Sequence, residues 1–241
     1  MVAENLKRVQ ATIPAGVQLV AVSKYHPVEA LQEAYDAGQR IFGESRENEL
    51  KLKVEALPKD IEWHFIGHLQ TNKVKYLAPC VSLIHSIDTE RLLDEVEKQA
   101  VRFADERKQR FGDRPELSDG RIPVLLQLHV AQEETKSGFS PDELIALLSN
   151  VKIAERWSHI KFCGLMGMAS FVDNEEQWRK EFRQITACYR ALLAGPLAAQ
   201  GITAEQFATL SFGMSHDYQI AIEEGANMVR VGTAIFGERQ Y

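Results

Sequence analysis

Long apolar runs are missing from this sequence: no segment approaches the ~20 consecutive apolar residues of a membrane span. The first residues, MVAENLKRVQATI, carry charge throughout and offer no apolar stretch for a secretory leader. Cysteine is scarce. Cys80, Cys163 and Cys188 are odd in number, far apart and never spaced as CxxC, which argues against a disulfide framework and a cysteine-based zinc site and fits a reducing, cytoplasmic setting. Excess positive charge is missing too: 28 Lys and Arg against 34 Asp and Glu give a net charge of −6. No nucleic-acid or acidic-membrane partner is therefore expected. His64, His68, His85 and His216 have no partner set with metal-ligand spacing, so no metal is expected either.

What is present is a repeating pattern. The 45% hydrophobic and 26% charged residues suit a soluble chain with a sizeable core. Short apolar runs recur as LVAVSK (19–24), RIFGE (40–44), EWHFIG (62–67), LIHSI (83–87), VLLQLHV (124–130), FCGLMGMAS (162–170), TLSFGM (209–214) and MVRVGTAIF (228–236). Between them lie segments of helical spacing: PVEALQEAYDAG runs from Pro27 to Gly38, DTERLLDEVEKQAVRFADERKQR opens on Asp88 as a cap, and SPDELIALLSNV opens on Ser140 and Pro141. A further helix is expected in NEEQWRKEFRQITACYRALLAG, and the hydrophilic stretch 111–121 reads as a loop. Strands alternating with helices imply a covered parallel sheet. Eight such units in 241 residues close most economically into one (β/α)8 TIM barrel, a single domain over 1–241 with an extra N-terminal helix, NLKRVQATI, expected to cover the barrel floor. An open doubly wound sheet is the alternative, and the absence of GxGxxG after the first strand disfavours it.

In such a barrel the chemistry sits at the C-terminal ends of the strands. Lys24 ends the first run there, and an ammonium is costly to bury without a partner, so it is either a residue reaching the surface or a site residue. The same mouth collects Glu44 to Asn48, then Gly67, His68, Gln70, Asn72 and Lys73. In SFGMS, Ser211, Gly213 and Ser215 occupy a strand-to-helix turn, and RVGTAIFG supplies Gly232 and Thr233 from the neighbouring strand. Paired small-residue turns at these positions suit a phosphate. A phosphate beside a strand-end lysine suggests a phosphorylated aldehyde held as a Schiff base, and pyridoxal 5'-phosphate (PLP) fits. Arg230, two residues before Gly232, should share its inward face and could meet the pyridine nitrogen; the alternative is an ion pair inside the barrel. Trp63, Trp157 and Trp178 read as packing, and His64 and His85 as core histidines.

Taken together, AVSKYHP, GQRIFGESRENE, WHFIGHLQTNK, KSGF, GLMGMAS and LSFGMSHDYQIAIEEGANMVRVGTAIFG resemble the pyridoxal phosphate homeostasis protein family, whose fold is similar to the N-terminal barrel of alanine racemases. The resemblance implies that Lys24 carries PLP, that Ser211, Met214, Ser215, Gly232 and Thr233 lie in the phosphate-holding motifs, and that Arg230 faces the pyridine nitrogen. It also offers Lys136, in TKSG, as a second lysine for PLP. The sequence departs from the family's usual residues at Tyr25, His26, Ser45 and His216. The implied function is PLP (vitamin B6) and amino-acid homeostasis by a carrier without turnover, a monomer passing PLP to apo enzymes. An amino-acid racemase is the alternative, disfavoured because the chain ends at Tyr241, soon after its last strand motif, without the second domain that supplies the opposing acid/base. A barrel lyase or aldolase using Lys24 on its substrate is the third reading.

Overall fold

The computed structural model of the chain describes residues 1–133 and 137–238. Eight parallel strands follow one another round a closed barrel: β1 (Gln18–Val22), β2 (Ile41–Glu44), β3 (Glu62–Phe65), β4 (Leu83–Ile87), β5 (Ile122–Gln127), β6 (Ile160–Met166), β7 (Thr209–Ser211) and β8 (Met228–Val231). β8 closes on β1 over four register pairs, from Gln18↔Met228 to Ala21↔Val231. Around them run α1 (Val2–Gln10), α2 (Val28–Asp36), α3 (Glu47–Ala56), α4 (Val74–Leu77), α5 (Glu90–Arg110), α6 (Pro141–Asn150), α7 (Ile153–Arg156), α8 (Glu175–Ala194), α9 (Tyr218–Glu223) and α10 (Thr233–Phe236). The barrel expected from the alternating pattern is the fold observed.

Several boundaries differ from the sequence reading, each for a local reason. β1 stops at Val22, so Lys24 lies in the turn beyond it. TAIF is helical, not strand, because the chain turns at Gly232 into α10. The cap of α5 is Thr89, whose side chain accepts from Leu92 N; Asp88 precedes it. Ser140 caps α6 as expected, in a reciprocal box with Glu143 and with Pro141 in the first turn.

The N-terminal helix does not cover the floor. α1 packs on α2 and α10, with Asn5 Nδ2 donating to Ile235 O at 3.1 Å and Leu6 and Val9 buried. The reason is the shortness of α10: four residues cannot shield the β8–β1 seam, and the apolar face of α1 does so instead. The main core lies between the staves and the helices and includes Phe42, Trp63, Phe65, Trp157, Phe182 and Phe207. A smaller cluster of Val20, Leu83, Leu125, Met166 and Met228 fills the lower lumen. By the strand alternation of two, Val22 and Gly232 continue this inward face toward the mouth, with Lys24 beyond Val22, as do His64, His85, Ser211 and Arg230 on their strands.

Candidate functional site

Lys24 is half-buried just past β1, at the centre of a tight turn closed by His26 N donating to Ser23 O at 3.1 Å. Tyr25 has φ 68°, the one positive value among the described non-glycine residues. Such a backbone costs a tyrosine about 1–2 kcal/mol, so the surroundings must impose it. The unusual residues beside Lys24 are all engaged: the Arg46 guanidinium lies 4.6 Å from the Tyr25 ring centroid, and His26 stacks on Phe236 at 5.0 Å.

The two small-residue turns meet beside it. Gly232 N donates to Ser215 Oγ at 3.2 Å, which ties the β7 turn to the β8 turn. A Cβ on Gly232 would stand 3.1 Å from Val22 O and 3.2 Å from Val22 Cβ, so the cradle abuts the strand that leads to Lys24. Gly213, at φ 96°, allows the β7 turn: a Cβ there would meet Ala221 Cβ at 2.5 Å. Thr233 is exposed as the first residue of α10, a position whose N–H has no partner within the helix. Two hydroxyls and a helix-start amide, with no carboxylate oxygen bonded to Ser215, Gly232 or Thr233 among the described residues, fit a phosphate group.

Ser211 ends β7, and Met214 directly precedes Ser215 in the turn that follows. Ser211 is fully buried, its Oγ 2.7 Å from Arg230 Nη1 and 3.0 Å from His85 Nδ1. Met214 N donates to Asp217 Oδ1 at 2.5 Å. Burial raises the Asp217 carboxyl, with the Met214 amide, His216 and Arg230 pulling the other way. Arg230 is buried and makes no direct ion pair among the described residues: Nη1 also donates to Ser211 O at 2.7 Å and Nη2 to Gly167 O at 2.9 Å. Desolvation pushes its guanidinium down to about 10, Asp217 opposing. His85 Nε2 lies 3.0 Å from His64 Nδ1. Burial holds His64 down to about 3 and His85 well below the ordinary histidine range, with His64 and Arg230 adding to the effect on His85.

The family model for the alanine racemase N-terminal domain matches residues 1–240. A curated relative from Aquifex aeolicus, named pyridoxal phosphate homeostasis protein, is 40% identical over 93% of this chain and 88% of its own. The chain belongs to the pyridoxal phosphate homeostasis protein family. The human protein of that name is 37% identical, over 93% of this chain and 77% of its own. Among solved structures, PipY of Synechococcus elongatus PCC7942 with PLP bound superposes with a TM-score of 0.79 at 31% identity, covering 98% of this chain and 100% of that one. Alanine racemase from Corynebacterium glutamicum shares the fold at a TM-score of 0.66 and 13% identity, with this chain spanning 61% of it.

In this member of the homeostasis protein family, the sequence-read mouth is partly redrawn. Lys24, Ser215, Gly232 and Thr233 come together at the rim, with Arg230 on the inward face below; Lys136 lies outside the described residues. Glu44 is not at the mouth: fully buried, it turns to α3, where Lys53 Nζ donates to its Oε1 at 2.7 Å. Lys73 pairs with Glu47, so the rim after β2 and β3 is an ion pair instead of a free cation. Trp63, Trp157 and Trp178 are all core residues, and the Trp178 ring also edges onto His216 at 5.5 Å. Sequence reasoning missed the hydrogen-bonded sequence of His64, His85, Ser211 and Arg230; the inward parity of each on its strand was the available signal.

Proposed function

We propose that the chain binds PLP reversibly on Lys24 and serves PLP (vitamin B6) and amino-acid homeostasis as a cytoplasmic, monomeric carrier without turnover, releasing PLP to apo enzymes. The observation that carries this reading is a two-turn cradle, joined by the Ser215–Gly232 bond, that abuts Val22 two residues before Lys24. The shared name of the relatives and the PLP in the PipY structure point the same way.

PLP supplies an aldehyde that a lysine amine can hold as a Schiff base and surrender by hydrolysis. The Lys24 amine attacks the aldehyde carbon, the C=N bond forms as water leaves, and returning water reverses the step. Ser215 and Thr233 offer hydroxyls, and the start of α10 offers amides, to the phosphate. Ser211 joins Arg230 to His85, and Met214 N ties its own turn to Asp217. Arg230 is a fixed cation held by carbonyls and a hydroxyl. Beside the pyridine nitrogen it disfavours a second positive charge, which weakens the ring as an electron sink and favours a carrier over the alternative racemase.

Purified protein given PLP is expected to develop a visible absorption band that borohydride abolishes, leaving PLP mass on the Lys24 peptide. Lys24→Ala should lose both, and an unchanged band in that variant overturns the attachment. Amino acids in deuterium oxide are expected to keep their α-protons; appreciable exchange would sink the carrier reading. Light scattering is expected to give a monomer.

A further inference from the structure

The peptide groups on both sides of Lys24 are held from behind the barrel wall. Lys53, on α3 and only 5% exposed, donates to Ser23 O at 2.9 Å, to Glu44 Oε1 at 2.7 Å and to Glu49 Oε2 at 3.3 Å. An ammonium has three protons, and these three acceptors use them all. Glu49 Oε2 also accepts Tyr25 N at 2.7 Å, and Glu44 Oε1 accepts Ser23 Oγ at 2.6 Å. The carbonyl before Lys24 and the amide after it are thus tied to one buried ion cluster.

What is held is an unfavourable conformation. With Ser23 O and His26 N closing the turn and a positive φ at Tyr25 but not at Lys24, the turn is of type II, whose third position favours glycine. A buried ion pair adds little net stability over an apolar isostere. Its value here is directional, because it fixes two peptide groups that a tyrosine-bearing turn would otherwise relax.

We propose that Lys53 and Glu49 are positioning residues for Lys24, clamping the strained turn so that the lysine side chain enters the barrel beside the Ser215–Gly232 cradle. This rests on the reading of Lys24 as the PLP tether. Neither residue reaches the mouth; both act through the backbone.

The decisive variants are Glu49→Ala, which removes the acceptor of the Tyr25 amide but leaves the Lys53–Glu44 pair, and Glu49→Ala with Tyr25→Gly, in which the turn no longer needs holding. Lys53→Met would strand Glu44 and confuse folding with positioning. A charge-assisted bond is worth about a factor of ten or more in an equilibrium. Glu49→Ala is therefore expected to bind PLP and undergo borohydride trapping at Lys24 about tenfold less well, with circular dichroism unchanged, and the double variant to recover most of that loss. In the PLP-free proteins, NMR-detected hydrogen exchange at the Tyr25 amide should quicken by about the same factor in Glu49→Ala. Wild-type trapping in Glu49→Ala, or a double variant as impaired as the single one, overturns the proposal. If the wild-type chain forms no adduct on Lys24, the tether reading falls by itself. The clamp is then decided by the exchange rate, and unchanged protection of Tyr25 overturns it.

Discussion

Single residues at the mouth are chosen for what they permit as much as for what they contact. Gly213 and Gly237 both have positive φ, at 96° and 84°, but a Cβ at Gly237 meets nothing within 4 Å while one at Gly213 would press on Ala221 and Tyr218. The pair separates backbone strain from crowding. In urea denaturation, Gly237→Ala is expected to cost about 1–3 kcal/mol from conformation alone, since φ 84° with ψ −174° is a region nearly confined to glycine. Gly213→Ala should cost about 2–5 kcal/mol, because overpacking of the β7 turn adds to the same strain. The sequence made Gly213 legible as a turn residue, since a glycine with Ser211 and Ser215 two positions to either side, at the end of an apolar run, marks one. It did not make Tyr25 legible: nothing in SKYHP announces a left-handed tyrosine, because the groups that impose it, Lys53 and Glu49, arrive from a helix more than twenty residues away.

At the scale of elements, the exchange of roles between α10 and α1 is the main departure from an ideal alternation. The shortness of α10 leaves the closing seam of the barrel to a helix from the other end of the chain, in which Leu6 is wholly buried. Leu6→Ala is expected to lose about 2–5 kcal/mol of stability, read as a lowered thermal midpoint. Trapping of PLP at Lys24 well below that midpoint should persist, because α1 bonds to Glu33 of α2 and Ile235 of α10. Strand and helix periodicity was readable from local pattern, and so were the Ser140 cap and the helix ending near Gly38. Which helix lies over which seam was not, since an amphipathic face records that a helix packs and not where. Glu44 illustrates the same limit: the end of β2 was correct, but one step of strand parity sends its carboxylate to α3 instead of the mouth.

For the molecule as a whole, the lumen has an apolar lower layer and a polar layer above it, and the polar layer sets the response to acid. His64 and His85 stay unprotonated in the fold, whereas in the unfolded chain each takes a proton near the ordinary value of 6.5. Folded stability is therefore complete above that value and is lost as pH falls through it, down toward about 3 for His64. The loss approaches about 1.4 kcal/mol per pH unit for each histidine. The raised carboxyls of Glu44 and Asp217 work in the opposite direction, so the comparison with His64→Asn isolates the histidine share. Denaturation midpoints between neutral and mildly acidic pH should fall more steeply in the wild-type chain than in that variant; equal slopes would contradict the assignment. The same layer has a further consequence, which follows from arginine being able only to donate. With one lone pair of the Ser211 hydroxyl occupied by Arg230, the arrangement that also gives the Ser211 proton an acceptor turns it toward His85 Nδ1, with His85 carrying its own proton on Nε2 and giving it to His64 Nδ1. A line of donors thus points one way across the lumen, from β8 through β7 and β4 to β3, so that a single cation at one wall decides which tautomer each imidazole adopts at the other.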